Sequence, residues 1–284
     1  MTRLRLALAL PTPEVQVPLP LALCSGAFPE RLSKAARLGY DGVELLVARP
    51  EQLDANHVRE QVNSRGLDIA AIATGALYRA EGLTLLSHDP VVSQRAAARL
   101  EELIVFAATA GVPFVTVGAF RGWLSWVGGA HAREQLLRLL AHAASVADER
   151  GVRLVLEPLN RYESDVVHSV QEAVAFIEEV GKKSLGLLLD TFHMNIEESN
   201  IAEAIHQAAV SGRLWHVHLG DSNRLPPGQG HLDFGTLLRT LAEVDYCGFL
   251  SAELIGGSDP DGAAAATIRH LRSLLPDALE WQRE

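Results

Sequence analysis

At 284 residues, 48% hydrophobic and 21% charged, the chain can build one globular domain with a large core. Its formal charge of −10 argues against a nucleic-acid partner, whose affinity would come mainly from basic side chains releasing counterions from phosphates. No run approaches the roughly 20 apolar residues of a membrane helix, and Cys24 and Cys247 are too few for a disulfide framework, so a reducing, cytoplasmic setting is expected.

Short apolar runs and longer amphipathic stretches alternate along the whole chain. Leu4–Leu10 reads as a first strand and not as a secretory signal, because its apolar run ends after seven residues at Pro11, Pro13 and Glu14. A helix is expected at Pro29–Leu38, a strand at Gly42–Val47, a helix at Glu51–Ser64 and a strand at Leu67–Ala73. Helix Pro90–Ala110, strand Phe114–Val117, helix Ala130–Arg150, strand Arg153–Glu157 and helix Val170–Glu179 follow. The chain closes with strands Leu185–Asp190 and Leu214–Leu219, helix Phe234–Glu243 and strand Phe249–Glu253. The strands are brief and rich in Val, Ile and Leu, as strands covered on both faces should be. Gly39, Gly66, Gly111, Gly151, Gly181 and Gly212 follow six helical patterns, where a C-terminal cap favours a residue tolerant of positive φ.

Strict alternation of strand and helix implies a parallel sheet, either doubly wound or closed. No Gly-x-Gly-x-x-Gly follows the first strand, which weakens the dinucleotide-binding version. Eight units favour a (β/α)8 TIM barrel, one α/β domain spanning residues 1–284 with no linker or composition break. The longest loops, Pro11–Phe28, Thr74–Asp89, Gly118–Gly129 and Gly220–Asp233, all leave the carboxyl ends of strands, the catalytic face of such a barrel.

Four potential metal ligands close four successive strands: Glu157 ends RLVLE, Asp190 ends LGLLLD, His218 ends LWHVH and Glu253 ends FLSAE. Their separations of 33, 28 and 35 residues are each about one β-α unit, so a closed barrel brings all four to one rim. Any one acid at a strand end could simply cap a helix. Three carboxylates brought together would repel strongly in a partly buried site, and a divalent cation resolves that cost. Three oxygen donors and an imidazole suit one Mn²⁺, Mg²⁺ or Co²⁺ ion, with Mn²⁺ expected first. His216 lies two residues before His218 on the same side of its strand and reads as a packed or hydrogen-bonded core histidine. Glu44, near the end of the second strand, reads as a supporting group or core ion-pair partner.

The stretches LEPLNRYE (Leu156–Glu163), LLLDTFHMNIEE (Leu187–Glu198), HVHLGDSNRLPPGQGH (His216–His231) and SAEL (Ser251–Leu254), with ARLGYDGVEL (Ala36–Leu45) earlier, resemble motifs of the xylose-isomerase-like barrel superfamily. The resemblance is to the sugar isomerases and epimerases typified by D-tagatose and D-psicose 3-epimerases, and it covers essentially the whole chain. It implies that Glu157, Asp190, His218 and Glu253 bind the metal, and that Glu157 and Glu253 are also the acid/base pair. It further implies that Glu163, His193 and Arg224 hold the substrate's carbonyl end and reacting hydroxyls. The implied substrate is a small sugar; self-association stays open. Asp221 departs from that pattern, since ketose epimerases usually carry Glu there, and so does the segment GHLDF (Gly230–Phe234), which resembles a branch acting on keto-aldonates or inositol-derived ketones.

Separately from the resemblance, Arg121 in the loop after strand four is expected to meet the carboxylate of an extended substrate, with Trp123 and Trp126 as an apolar wall beside it. Hydroxypyruvate- or inosose-type isomerases would use the same centre. An abasic-site endonuclease shares the barrel but needs additional histidines and a basic groove, against which the charge of −10 speaks. A non-catalytic sugar-binding barrel has no need of an intact acid/base pair.

Overall fold

Eight parallel strands close on themselves in chain order: β1 (Arg5–Pro11), β2 (Gly42–Leu46), β3 (Asp68–Ala73), β4 (Phe114–Val117), β5 (Arg153–Leu156), β6 (Leu185–Asp190), β7 (Leu214–Leu219) and β8 (Phe249–Ala252). β8 pairs back onto β1 with Arg5 opposite Phe249, which completes the barrel. The computed structural model describes residues 4–274; the expected domain of 1–284 extends past them at both ends. No described helix is long and apolar enough to cross a membrane.

The helices are α1 (Phe28–Leu38), α2 (Ala55–Asn63), α3 (Gly75–Glu81), α4 (Pro90–Ala110), α5 (Gly129–Glu149), α6 (Val170–Val180), α7 (Thr191–Glu197), α8 (Ile201–Val210), α9 (Phe234–Glu243) and α10 (Pro260–Ser273). Their ends follow from local chemistry. Asp89 accepts from the Val91 amide ahead of Pro90 to start α4, and Gly111 stops it at φ 70°. All six glycines expected after helices take φ between 68° and 88°. β6 is buried along its full length, in keeping with its unbroken LGLLLD run.

The expected strands all form, within a residue or so at their ends. α3 lies in the stretch Thr74–Asp89 that reads as loop, and α7 in one assigned no element, since seven residues are too few to show a 3.6-residue period. Strand ends β5–β8 and the loops behind them build one half of the upper rim, where the chemistry gathers.

On β6, the side-chain position of Gly186 is already taken by its neighbour on β7. A Cβ there would lie 2.2 Å from the Trp215 ring, which also stacks on Phe114 at 6.4 Å. Gly186→Ala should therefore cost about 1–3 kcal/mol, as overpacking does, measured by denaturant unfolding. Unchanged stability would mean the Trp215 ring is free to move aside.

Candidate active site

The carboxyl ends of β5, β6, β7 and β8 place Glu157, Asp190, His218 and Glu253 around one point, with one ligand atom from each within 4.8 Å of all the others. His218 Nδ1 lies 3.6 Å from Glu157 Oε1 and 3.6 Å from Glu253 Oε2. Glu157 Oε1, Asp190 Oδ2 and His218 Nδ1 are buried without a hydrogen-bond partner, although buried polar atoms nearly always have one. Three such atoms turned to a shared centre are what an ion would satisfy, and this oxygen-rich set fits a hard divalent cation.

Beneath this point sits Glu44 on β2, 1% exposed. His218 Nε2 lies 2.9 Å from its Oε1, and His216 Nε2 lies 2.8 Å from its Oε2. With a cation bound, His218 would keep its proton on Nε2, toward Glu44, and turn the Nδ1 lone pair to the shared centre, the usual way a supporting carboxylate orients a ligating imidazole. Both Glu44 and His216 occupy the supporting, hydrogen-bonded places expected of them.

Above the point, Arg224 Nη2 donates to Glu253 Oε2 at 2.8 Å and lies 3.6 Å from Asp190 Oδ2, while its Nη1 lies 3.3 Å from Glu163 Oε1. Arg224 has φ 60° and is 8% exposed. His193 Nδ1 accepts from the Asn160 amide at 3.2 Å, which leaves the ring proton on Nε2. That Nε2 is buried, unpartnered, and 3.8 Å from Asp190 Oδ2. Glu163, His193 and Arg224 therefore do gather at the four-residue point.

Among the side chains alone, charge is distributed unevenly. Burial pushes the Asp190 carboxyl up to about 7 against the pull of Arg224, and burial likewise raises Glu157. Burial opposes ionisation of Glu253 too, yet His218 and Arg224 hold it at about 2. Burial also opposes a charge on His218, but Glu44 and Glu253 outweigh it and raise this pKa well above the ordinary range. His193 is driven well below the ordinary range by burial and by Arg224, so it stays neutral.

Arg121 requires a correction. It is wholly buried, and its guanidinium is spent mainly on main-chain oxygens: Nη1 donates to Glu157 O at 2.7 Å and Nη2 to Val166 O at 2.9 Å. No substrate carboxylate can reach those donors. The two departures from the family pattern are also used internally. Asp221 accepts from the Ser222, Gly228 and Leu232 amides at 2.7, 2.8 and 3.1 Å, and Asp233 of GHLDF caps α9 through the Thr236 amide. Trp123 and Trp126 pack on each other at 6.3 Å. Two contributors escaped the sequence reading. Asn160, three residues past Glu157 in the LEPLNRYE stretch, also donates to Glu163 Oε1 at 3.1 Å. Gly118, directly after β4, leaves room for the Glu157 carboxylate; a glycine at a strand end signals such an approach.

Comparison with known proteins bears on this geometry. A family model described as xylose isomerase-like TIM barrel matches residues 32–274. D-psicose 3-epimerase of Enterocloster bolteae is 31% identical over 268 residues, covering 89% of this chain and 84% of the relative. L-ribulose 3-epimerase of Methylomonas sp. is 30% identical over 253 residues, covering 87% and 85%. A solved L-ribulose 3-epimerase structure superposes with a TM-score of 0.78 at 26% identity, covering 97% of this chain and 96% of that one.

The charge pattern fixes how stability should respond to pH. The folded-state values of Asp190 (about 7) and His218 (raised) lie above their ordinary ones, so each contributes stability at low pH that is lost as pH rises. Neutral His193 opposes this below about pH 6.5, so chelated protein should lose melting temperature from about pH 6.5 upward, while added Mn²⁺, which favours the deprotonated ligands, should stabilise more at the higher pH. Thermal melts with EDTA and with Mn²⁺ check this; an Mn²⁺ shift that shrinks with rising pH would contradict it.

Proposed function

The chain belongs to the xylose isomerase-like TIM barrel family, and from that premise we propose that it is a divalent-metal-dependent 3-epimerase of a ketose or keto-aldonate. The observation that carries the reading is the convergence of Glu157, Asp190, His218 and Glu253, with unpartnered atoms from three of them turned to one point. A hydrogen beside a ketone is a very weak acid. When bound there, an ion would act as a Lewis acid on the carbonyl and neighbouring hydroxyl oxygens and stabilise the enediolate charge. We take Mn²⁺ as that ion, with Mg²⁺ and Co²⁺ as alternatives. The cytoplasm is its proposed location, in keeping with free Cys24 and Cys247.

Inversion at C3 requires proton removal from one face and return to the other, which two carboxylates from different strands can perform. Glu253, held ionised by His218 and Arg224, is suited to take the proton. Glu157, which follows β5 as Glu253 follows β8, is placed to act on the other face, and the two exchange roles in the reverse direction. The free Nε2–H of neutral His193 is a donor for a substrate oxygen, and Arg224 can answer negative charge as it develops. Glu163, drawn in by Arg224 and Asn160, can bind a hydroxyl.

Proton NMR in D₂O across a set of ketoses and keto-acids tests the proposal. Deuterium uptake at C3 with formation of the C3 epimer is expected, chelation should stop it, and Mn²⁺ or Co²⁺ should restore it. Full activity in metal-free protein, or transfer between adjacent carbons in place of inversion, would displace the reading. Glu157→Gln and Glu253→Gln should each lower turnover by at least ~10²–10⁴-fold, the usual contribution of a general acid or base. One of the two should retain C3–H exchange without inversion, and near wild-type epimerisation by either would refute the two-carboxylate scheme.

A further inference from the structure

Gly118 and Arg121 bracket the short turn that leaves β4, and both are directed at Glu157. The Arg121 side chain is 0% exposed. Its Nη1 donates to Gly118 O at 3.2 Å and Glu157 O at 2.7 Å. Its Nη2 donates to Ser164 Oγ at 3.2 Å, Val166 O at 2.9 Å and Val167 O at 3.3 Å. Val167 is a β-branched residue at φ 60°, an unfavourable conformation that persists only where surroundings impose it. At the other end of the turn, a Cβ on Gly118 would lie 2.3 Å from Glu157 Oε2.

We infer that the Gly118–Arg121 turn is a positioning cradle for Glu157. Arg121 fixes the main chain of residue 157 and of the return segment behind Glu163, and Gly118 leaves the space that the Glu157 carboxylate fills. The inference rests on the reading of Glu157 as ligand and acid/base group. A general core strut would spread its contacts, but every oxygen that Arg121 meets belongs to the β4 exit, to Glu157 or to residues 164–167. A planar guanidinium has the span for this; the compact ammonium of lysine does not.

Arg121→Lys and Gly118→Ala test the cradle, each titrated with Mn²⁺ by calorimetry, assayed for epimerisation and melted. Both should melt cooperatively, bind Mn²⁺ roughly 10–100-fold more weakly, as lost support of a ligand does, and lose kcat with KM little changed. A rise in KM alone for Arg121→Lys would make Arg121 a substrate contact and overturn the inference. Unchanged Mn²⁺ affinity and kcat in a folded Arg121→Lys would overturn it as well. If that variant does not fold, Gly118→Ala decides, and wild-type affinity in it is the refuting result. A parent protein that binds no Mn²⁺ would defeat the metal reading and leave the cradle to a crystal structure of Gly118→Ala. There a displaced Glu157 carboxylate supports the inference, and an unmoved one ends it.

Discussion

Glu157, Asp190 and Glu253 present their carboxylates to one another across less than 5 Å, with Glu157 and Asp190 buried and the Glu253 side chain nearly so. Two like charges about 4 Å apart repel by about 4 kcal/mol at the effective dielectric typical of proteins, so three of them strain the fold unless something answers. Two cationic groups answer in part. Arg224 reaches Glu253 and Asp190 from above, and His218 reaches Glu157 and Glu253 from the barrel wall, itself held by Glu44. Burial shifts some of the cost into protonation, which is why Asp190 and Glu157 are raised while Glu253, nearest Arg224, is lowered. A divalent ion would remove the need for those protons.

The barrel makes so crowded an arrangement reproducible. Parallel strands in register deliver their last residues to one height, and Asp190 lies directly opposite His218 in the β6–β7 pairing. Asp190 also caps α7 through the Phe192 amide, so one of its oxygens is fixed by a helix start while the other stays unpartnered. Thr191 then ties the ends of β6 and β7 together by bonding both the carbonyl and the amide of Gly220. The placement of these side chains is a consequence of main-chain hydrogen bonding.

Much of this was legible in the residues, for a physical reason. Strands buried on both faces leave unbroken apolar runs, and a charged residue at the end of such a run has no place except the rim, so the four candidate ligands stood out from spacing. The helix-ending glycines were equally plain, because positive φ selects them. What stayed hidden depends on long-range direction. Nothing local shows that Asn160 turns back to His193 across 33 residues, or that Glu44 bridges two histidines more than 170 residues later. The short α3 and α7 left no periodic trace. Asp221 and GHLDF looked like substrate determinants because they vary from a pattern, whereas their oxygens serve their own loop and the start of α9.

Arg121 and Arg224 show most clearly where sequence alone reaches its limit. Both lie in loops on the catalytic face, and both carry a guanidinium suited to holding a carboxylate. Arg224 is turned to carboxylates, and their field pushes its pKa further up despite burial. Arg121 is turned to carbonyl oxygens, and burial pushes its pKa down to about 10, still high enough to keep the charge at neutral pH. The first balances charge where chemistry happens; the second uses its charge to strengthen bonds to neutral acceptors that shape the wall. The same logic extends to Asp165, whose two oxygens accept from the Leu124 and Ser125 amides and join the loops that leave β4 and β5. Ionised side chains committed to main-chain groups tie these loops to the strands beneath them, so that a site assembled partly on loops can hold Glu157 and Glu163 in fixed relation to the candidate ligands carried on the barrel itself.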